Sequence, residues 1–283
     1  MSYPEGQSTG AKDPANLLLR RLLTGLIALT TSVIFIIMFA GIVSYPFPAP
    51  FHDEISSPIL AVELPKKEPD LCTVFGTNHP GLQTQSTSQE PCDATGAKPY
   101  DPFKTGEAVA LVRANTLEDL VFIPFYALFV YCFAWLMTAP ADRGGIVLTR
   151  VVGVLIFIAA MLDYLEDYGI LSSLRAEDLT DDLARHTRIP SLGKWSLIGI
   201  CLLLLAVILL RSSNSVYKRG TRVVFACLCI ASGLLMLIGL LYPRVMILAN
   251  LLFGIFVLAN AVGLLCGYRW GASPRYSAVA PQQ

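Results

Sequence analysis

Six stretches of the chain are apolar over a length sufficient to cross a membrane. A transmembrane helix needs about 20 mostly apolar residues, because the hydrocarbon core is about 30 Å thick. The pattern therefore predicts an all-α membrane protein, a six-transmembrane helical bundle. The predicted spans are residues 22–45, 116–138, 146–170, 191–211, 223–242 and 245–268. The first stretch has the basic flank of a secretory signal, but its length and the lack of an A-x-A cleavage site favour a retained anchor.

The composition agrees with this pattern. Of 283 residues, 54% are hydrophobic and 15% are charged, and the mean hydropathy is +0.58. Soluble domains carry about 25% charged residues, so the predicted partner of this chain is the lipid bilayer. The formal net charge is zero, and nothing in it indicates binding to nucleic acid.

The basic residues divide the segments outside the spans into two sets. One set contains residues 1–21, the connections at 139–150 and 211–222, and the tail at 269–283; it has eleven basic and three acidic residues. The other set has ten basic and eighteen acidic residues. Because Lys and Arg favour the cytoplasmic side, both termini are predicted to be cytoplasmic. The predicted location is the cell membrane, and a bacterial inner membrane is favoured.

Residues 46–115 form a long extracytoplasmic segment between the first two spans. It contains Cys72 and Cys92, whereas the other five cysteines lie in predicted spans. A disulfide between these two would close a loop of about 21 residues and stabilise the fold by roughly 3 kcal/mol. Two free thiols are the alternative, but the predicted compartment favours the disulfide. A small domain of strands and turns and an irregular cap are both compatible with this segment.

Three carboxylates stand near the end of the third predicted span. Asp163, Glu166 and Asp167 are spaced i, i+3 and i+4, so they project from one side of a helix. An ionised carboxylate at mid-bilayer costs about 2.5–3.5 kcal/mol on insertion scales, so these acids must be shallow, protonated or paired. Lys194 occupies the same level at the start of the fourth predicted span. We therefore predict that Lys194 approaches the face formed by Asp163 and Glu166.

The start of the second span contributes further polar groups at this level. Thr116 and Asp119 have the spacing of a capping box, which by itself explains Asp119. Asp119 and Tyr126, two turns apart, also join the predicted polar cluster. Three interpretations stay open for that cluster, and the first two are an ion-pair network that fixes the helix register and a site for a ligand, a proton or a cation. A solvated helix end is a third.

Other motifs carry less weight. His52, His79 and His186 lie on the outer side without the tight spacing of zinc ligands, and no hydrolase, zinc-protease or nucleotide-binding motif is present. No catalytic residue, metal ligand or cofactor is predicted. Ala259, Gly263 and Gly267 repeat every four residues in the sixth span and predict close packing within the chain or a homo-oligomer. Residues 172–190 are predicted to form a short outer helix.

Several of these residues resemble the motifs of a group of uncharacterised bacterial multi-pass membrane proteins. In that group a D-x-x-F-I-x-x-Y helix start is followed by D-x-x-E-N at the end of the next helix. The corresponding residues here are Asp119, Phe122, Ile123, Tyr126, Asp163, Glu166, Asp167, Lys194 and Trp195. Asp167 replaces the Asn of the pattern, and the resemblance covers residues 17–211. It implies that these residues act as a unit, and it implies no activity.

The sequence therefore predicts a non-enzymatic binding, sensing or complex-assembly component with an acidic cluster near the outer leaflet. Assembly implies a membrane-protein partner. A small proton- or cation-coupled transporter that uses the same carboxylates is the main alternative, and an outer-face metal-dependent hydrolase is a weaker one.

Overall fold

A computed structural model describes most of the apolar part of the chain. The described residues are 22–34, 63, 107–138, 142–175, 180–212, 217 and 219–270. This part is all-helical, with six helices and no strand. They are α1 (Leu22–Ile34), α2 (Glu107–Met137), α3 (Arg143–Ser173), α4 (Asp181–Arg211), α5 (Arg219–Gly239) and α6 (Pro243–Trp270).

Four of these helices are long and apolar enough to cross a membrane, namely α2 from Val112 onward, α3, α4 and α5. The described apolar parts of α1 and α6, Leu22–Ile34 and Val245–Asn260, are shorter. Side chains on the outside of α3, such as Val154 and Phe157, are apolar and exposed. An exposed apolar helix face is what contact with lipid requires.

The helices pack in chain order into a closed bundle. Each helix from α2 to α6 contacts the next one along the chain. Phe256 of α6 completes the ring, since its side chain meets Phe129 and Phe133 of α2 at centroid distances of 6.1 and 5.4 Å and Phe225 of α5 at 5.8 Å. Edge-to-face contacts of this kind add to the energy of burial. The bundle interior is therefore apolar at this level.

Two helix starts have polar caps that follow from the local sequence. Asp142 accepts a hydrogen bond from the backbone N–H of Gly145 at 3.0 Å and caps α3. Thr180 accepts one from Leu183 at 3.3 Å and caps α4, whose first turn contains Asp181 and Asp182. Acidic residues there complement the positive end of the helix dipole.

The structure differs from the prediction at the start of the second span. Helix α2 begins at Glu107, nine residues before Thr116, so Thr116 is not an N-cap. Its hydroxyl donates instead to the carbonyl of Val112 at 2.8 Å, which is the ordinary hydrogen bond of a threonine inside a helix. The capping interpretation was wrong because the apolar residues before Thr116 extend the helical pattern.

The predicted outer helix at 172–190 is not a separate element: Ser172 and Ser173 end α3, and residues 181–190 join the fourth span at 191–211 in one continuous helix, α4, with Pro190 inside it. Proline has no N–H, so the carbonyl of His186, four residues earlier, loses its usual donor. Gly169 of α3 lies directly against this carbonyl, since a Cβ at position 169 would be 3.2 Å from it. The close approach of the two helices leaves little room for a larger residue than glycine at position 169.

Small residues bring α4 and α5 close together. A Cβ on Gly199 would lie 3.0 Å from the carbonyl oxygen of Gly233, and a Cβ on Gly233 would lie 2.8 Å from that of Gly199. Two of the three small residues that repeat along α6 contact other parts of this chain. Ala259 packs against the core, and Gly263 lies under the ring of Tyr217. The surroundings of Gly267 lie outside the described part.

Candidate functional site

Lys194 lies inside the bundle and is the centre of a group of ionisable side chains. Its Nζ is 2.6 Å from Oδ1 of Asp163 and 2.5 Å from Oε2 of Glu166, and all three side chains are buried. The contact predicted between Lys194 and these two residues is thus present. Because Asp163 and Glu166 are on α3 and Lys194 is on α4, the ion pairs connect two neighbouring helices.

Tyr126 of α2 completes the hydrogen bonding of Asp163. Its hydroxyl donates to Oδ2 of Asp163 at 2.9 Å, while Lys194 donates to Oδ1. Both oxygens of this carboxylate therefore have a partner, one from each neighbouring helix. Such charge-assisted hydrogen bonds are stronger than neutral ones and offset part of the cost of burying the charges.

Glu63, from the segment between α1 and α2, also reaches this group. One of its carboxylate oxygens is 4.0 Å from Nζ of Lys194, and the residue is buried. Burial raises the pKa of Glu63 above its ordinary value, and the positive charge of Lys194 opposes that rise. The sequence analysis did not find Glu63; its one signal is an acid inside the short apolar run at 59–64.

Asp119 and Asp167 occupy the next level toward the end of α3. Asp167 is buried and Asp119 is half-buried. The contacts Tyr126–Asp163 and Leu120–Tyr164 set the register of α2 against α3, and that register places Asp119 beside Asp167. Their charges act on each other. No described cation forms an ion pair with either of them.

We call this set of seven side chains the acidic cluster. It consists of Glu63, Asp119, Tyr126, Asp163, Glu166, Asp167 and Lys194. It contains five carboxyl groups and one ammonium group, and in the described part no second cation lies within 4.0 Å of a cluster carboxylate. If all five carboxyls were ionised, the cluster would carry four surplus negative charges in a desolvated place. Ionised carboxylates without a partner are costly wherever they are buried.

Polar atoms without partners accompany this surplus. Among the described residues, Oε1 of Glu166, Oδ2 of Asp167 and the hydroxyl of Ser191 are buried and accept or donate no hydrogen bond. Trp195 places its ring 4.8 Å from Nζ of Lys194, a cation–π contact. Ser191 and Trp195 stand on α4, on either side of Lys194.

The acidic cluster lies toward one end of the bundle. Lys194 precedes Arg211, the last residue of α4, by 17 residues, or about 25 Å along a helix axis. We call the end where α3 stops at Ser173 and α4 begins at Asp181 the acidic end, and the opposite end the basic end. The basic end has an exposed ion pair, with 3.5 Å between Arg211 and Asp142.

The other predicted site residues are less informative. Cys72 and Cys92 lie outside the described residues, as do His52 and His79, so the disulfide stays a prediction; His186 is exposed on α4. The described cysteines, Cys132, Cys201, Cys227 and Cys229, are free. In the described part, no group of three or more His, Cys, Asp and Glu side chains has the arrangement of a metal site.

Comparison with known proteins identifies no relative: no family model, no characterised protein and no solved structure matches this chain. The resemblance to uncharacterised bacterial membrane proteins therefore stays a prediction. The contacts of the acidic cluster are the observations from which a function can be argued.

Proposed function

We propose that this chain is a non-enzymatic, multi-pass membrane protein that binds or senses a positively charged ligand at the acidic cluster. The observation that carries the proposal is the imbalance of charge: three buried carboxyl groups lie within 4.0 Å of one ammonium group, and Asp119 and Asp167 stand at the next level. An ion-pair network that served only to hold helices together would need one acid for Lys194, and Asp163, at 2.6 Å from its Nζ, is sufficient as that partner.

The membrane topology belongs to the same proposal. We infer six spans, with α1 and α6 as the first and the last, a cytoplasmic basic end, cytoplasmic termini and a bacterial inner membrane. The positive-inside rule supports this orientation. It places the acidic cluster near the outer leaflet and the segment at 46–115 outside the cytoplasm. Reporter fusions at the two termini and within 213–216 test it, since all three are expected to report the cytoplasm.

A second candidate is a proton- or cation-coupled carrier that uses the same carboxylates. It is favoured by the position of the cluster between α2, α3 and α4, inside the bundle rather than on its lipid-facing side. Intramembrane acids that face a bundle interior commonly mark ion or proton pathways. Flux into proteoliposomes distinguishes the two, because a sensor binds without net transport.

The proposal is tested by the thermal stability of the purified full chain in lipid nanodiscs. The melting temperature is measured from about pH 5 to pH 8 and with sodium, potassium, ammonium or choline chloride at constant ionic strength. A ligand at 100 times its Kd stabilises a protein by about 2.7 kcal/mol. We expect the melting temperature to respond to pH or to one of these cations.

The double variant D163N/E166Q should lose that response, and E118Q should keep it. Glu118 is a suitable control because it is a half-exposed acid on α2, next to the cluster in sequence and outside its ion pairs. A wild-type melting temperature that is the same in every condition would show that the cluster binds no positive charge.

A further inference from the structure

Glu166 differs from the other acid that touches Lys194. Asp163 has a partner for each oxygen, whereas Glu166 contacts Lys194 through Oε2 and leaves Oε1 buried without a hydrogen bond among the described residues. The residue is 1% exposed. A buried carboxylate oxygen with no donor is costly, unless it carries a proton and becomes a neutral hydroxyl.

Ser191 is a second and independent observation at the same place. It is fully buried, and its hydroxyl has no hydrogen-bond partner in the described part of the chain. Thr187, Ser191 and Lys194 are spaced i, i+4 and i+7, so they share one face of α4. Thr187 meets Gly169 and Lys194 meets Asp163, which shows that this face points toward α3.

The register of the two helices places Ser191 opposite Glu166. Helices α3 and α4 run antiparallel, with Gly169 level with Thr187 and Asp163 level with Lys194. Position 166 lies midway between 163 and 169, and position 191 lies midway between 187 and 194 to within a residue. Two buried polar groups without partners therefore stand at one level of the same interface.

We propose that Glu166 is the proton-binding residue of the acidic cluster, with the Ser191 hydroxyl as the polar group that faces the bound proton. This proposal rests on the proposed function and names its ligand. The proton adds to Oε1 of the carboxylate and leaves to solvent, with no other bond made or broken. Asp163 retains its contacts with Lys194 and Tyr126.

The groups that surround Glu166 come from every neighbouring element. The charged groups that act on it are Lys194 on α4, Glu63 from the segment before α2 and Asp163 on α3, and the other members of the acidic cluster stand on α2 and α3. The ammonium of Lys194 attracts a negative charge on Glu166, whereas negative charges on Glu63 and Asp163 repel it. Loss of the proton from Glu166 would place a second negative charge beside the Asp163–Lys194 pair, so the proton responds to the charge of the whole cluster.

Infrared difference spectroscopy of the full chain in lipid nanodiscs tests the proposal, with the proton as the only probe. We expect a carbonyl band of a buried carboxylic acid that shifts in D₂O and changes with pH. E166Q should remove this band, and E118Q should leave it unchanged. S191A should shift its frequency, because the band senses the hydrogen bonding of the acid.

Persistence of the band in folded E166Q, or its absence from the wild type, overturns the proposal. If E166Q does not fold, S191A serves as the test, and an unshifted band there overturns it. Another outcome is a wild type that lacks the band while its melting temperature still responds to cations. That result would overturn the assignment to Glu166 and leave the proposed function standing. A wild type whose melting temperature responds to neither pH nor cations would instead overturn the proposed function.

Discussion

The replacement Lys194→Met is expected to destabilise the protein strongly. Methionine fills much of the space of the lysine stem but removes the ammonium that contacts Asp163 and Glu166 at 2.6 and 2.5 Å. Both side chains are almost fully buried, so solvent cannot replace the lost partner. Breaking a buried ion pair in this way costs about 3–5 kcal/mol, because an uncompensated charge remains behind.

The matched control is Arg211→Met at the basic end. The Arg211 side chain is 54% exposed, and it stands 3.5 Å from Asp142. An exposed pair contributes about 0–1 kcal/mol. The two substitutions remove one cation each from α4, so their difference isolates the effect of burial.

Reversible unfolding in mixed micelles measures both free energies. We expect the unfolding equilibrium constant of K194M to rise by roughly two to three and a half orders of magnitude and that of R211M by less than about one. The triple variant K194M/D163N/E166Q, which removes the stranded charges as well, should recover most of the loss. Equal losses in K194M and R211M would refute the reasoning.

Three further predictions follow from particular contacts. Tyr126→Phe removes a buried hydrogen bond to a carboxylate and should lower the free energy of unfolding by about 1.5–3 kcal/mol; an unchanged value would show that the hydroxyl is not needed there. Gly233→Ala places a Cβ 2.8 Å from the carbonyl of Gly199 and should cost about 1–3 kcal/mol, whereas Gly220→Ala, with open space around it, should not destabilise the bundle. Burial raises the folded pKa of Glu63 above its ordinary 4.5, so the folded state binds this proton more tightly than the unfolded state does. The stability of the wild type relative to E63Q should therefore be highest below pH 4.5 and fall as the pH rises through the folded value, and a pH-independent difference in unfolding free energy would contradict this.

The contact at the centre of the cluster was predictable from the sequence, but for a partly mistaken reason. Opposite charges at one level of two neighbouring apolar helices predict that Lys194 meets Asp163 and Glu166. The sequence analysis placed Lys194 at the start of its helix, where the helix dipole would also disfavour a positive charge. In the structure α4 begins at Asp181, 13 residues before Lys194. Because the helix dipole acts only within the first and last turns, it does not reach Lys194, and burial of the charges drives the pairing.

Other features could not be predicted because they depend on tertiary packing. A proline such as Pro190 usually marks a helix boundary, yet α4 continues through it, packed against Gly169 of α3. Glu63 belongs to a long polar segment with no helical period, so nothing local ties it to Lys194. Ser191 is an ordinary serine in sequence, and its importance appears only once its buried hydroxyl is found without a partner.

The charged side chains of the cluster are expected to meet inside the bundle rather than turn outward to the membrane surface. Solid-state NMR in lipid bilayers measures this directly, through the dipolar coupling between ¹⁵Nζ of Lys194 and the ¹³C-labelled carboxyl carbons of Asp163 and Glu166, with K194R to assign the signal. The account predicts strong coupling to both carboxyl carbons, as distances of 2.6 and 2.5 Å to their oxygens require. No coupling to either carbon, with the ammonium in contact with water or headgroups, would contradict it.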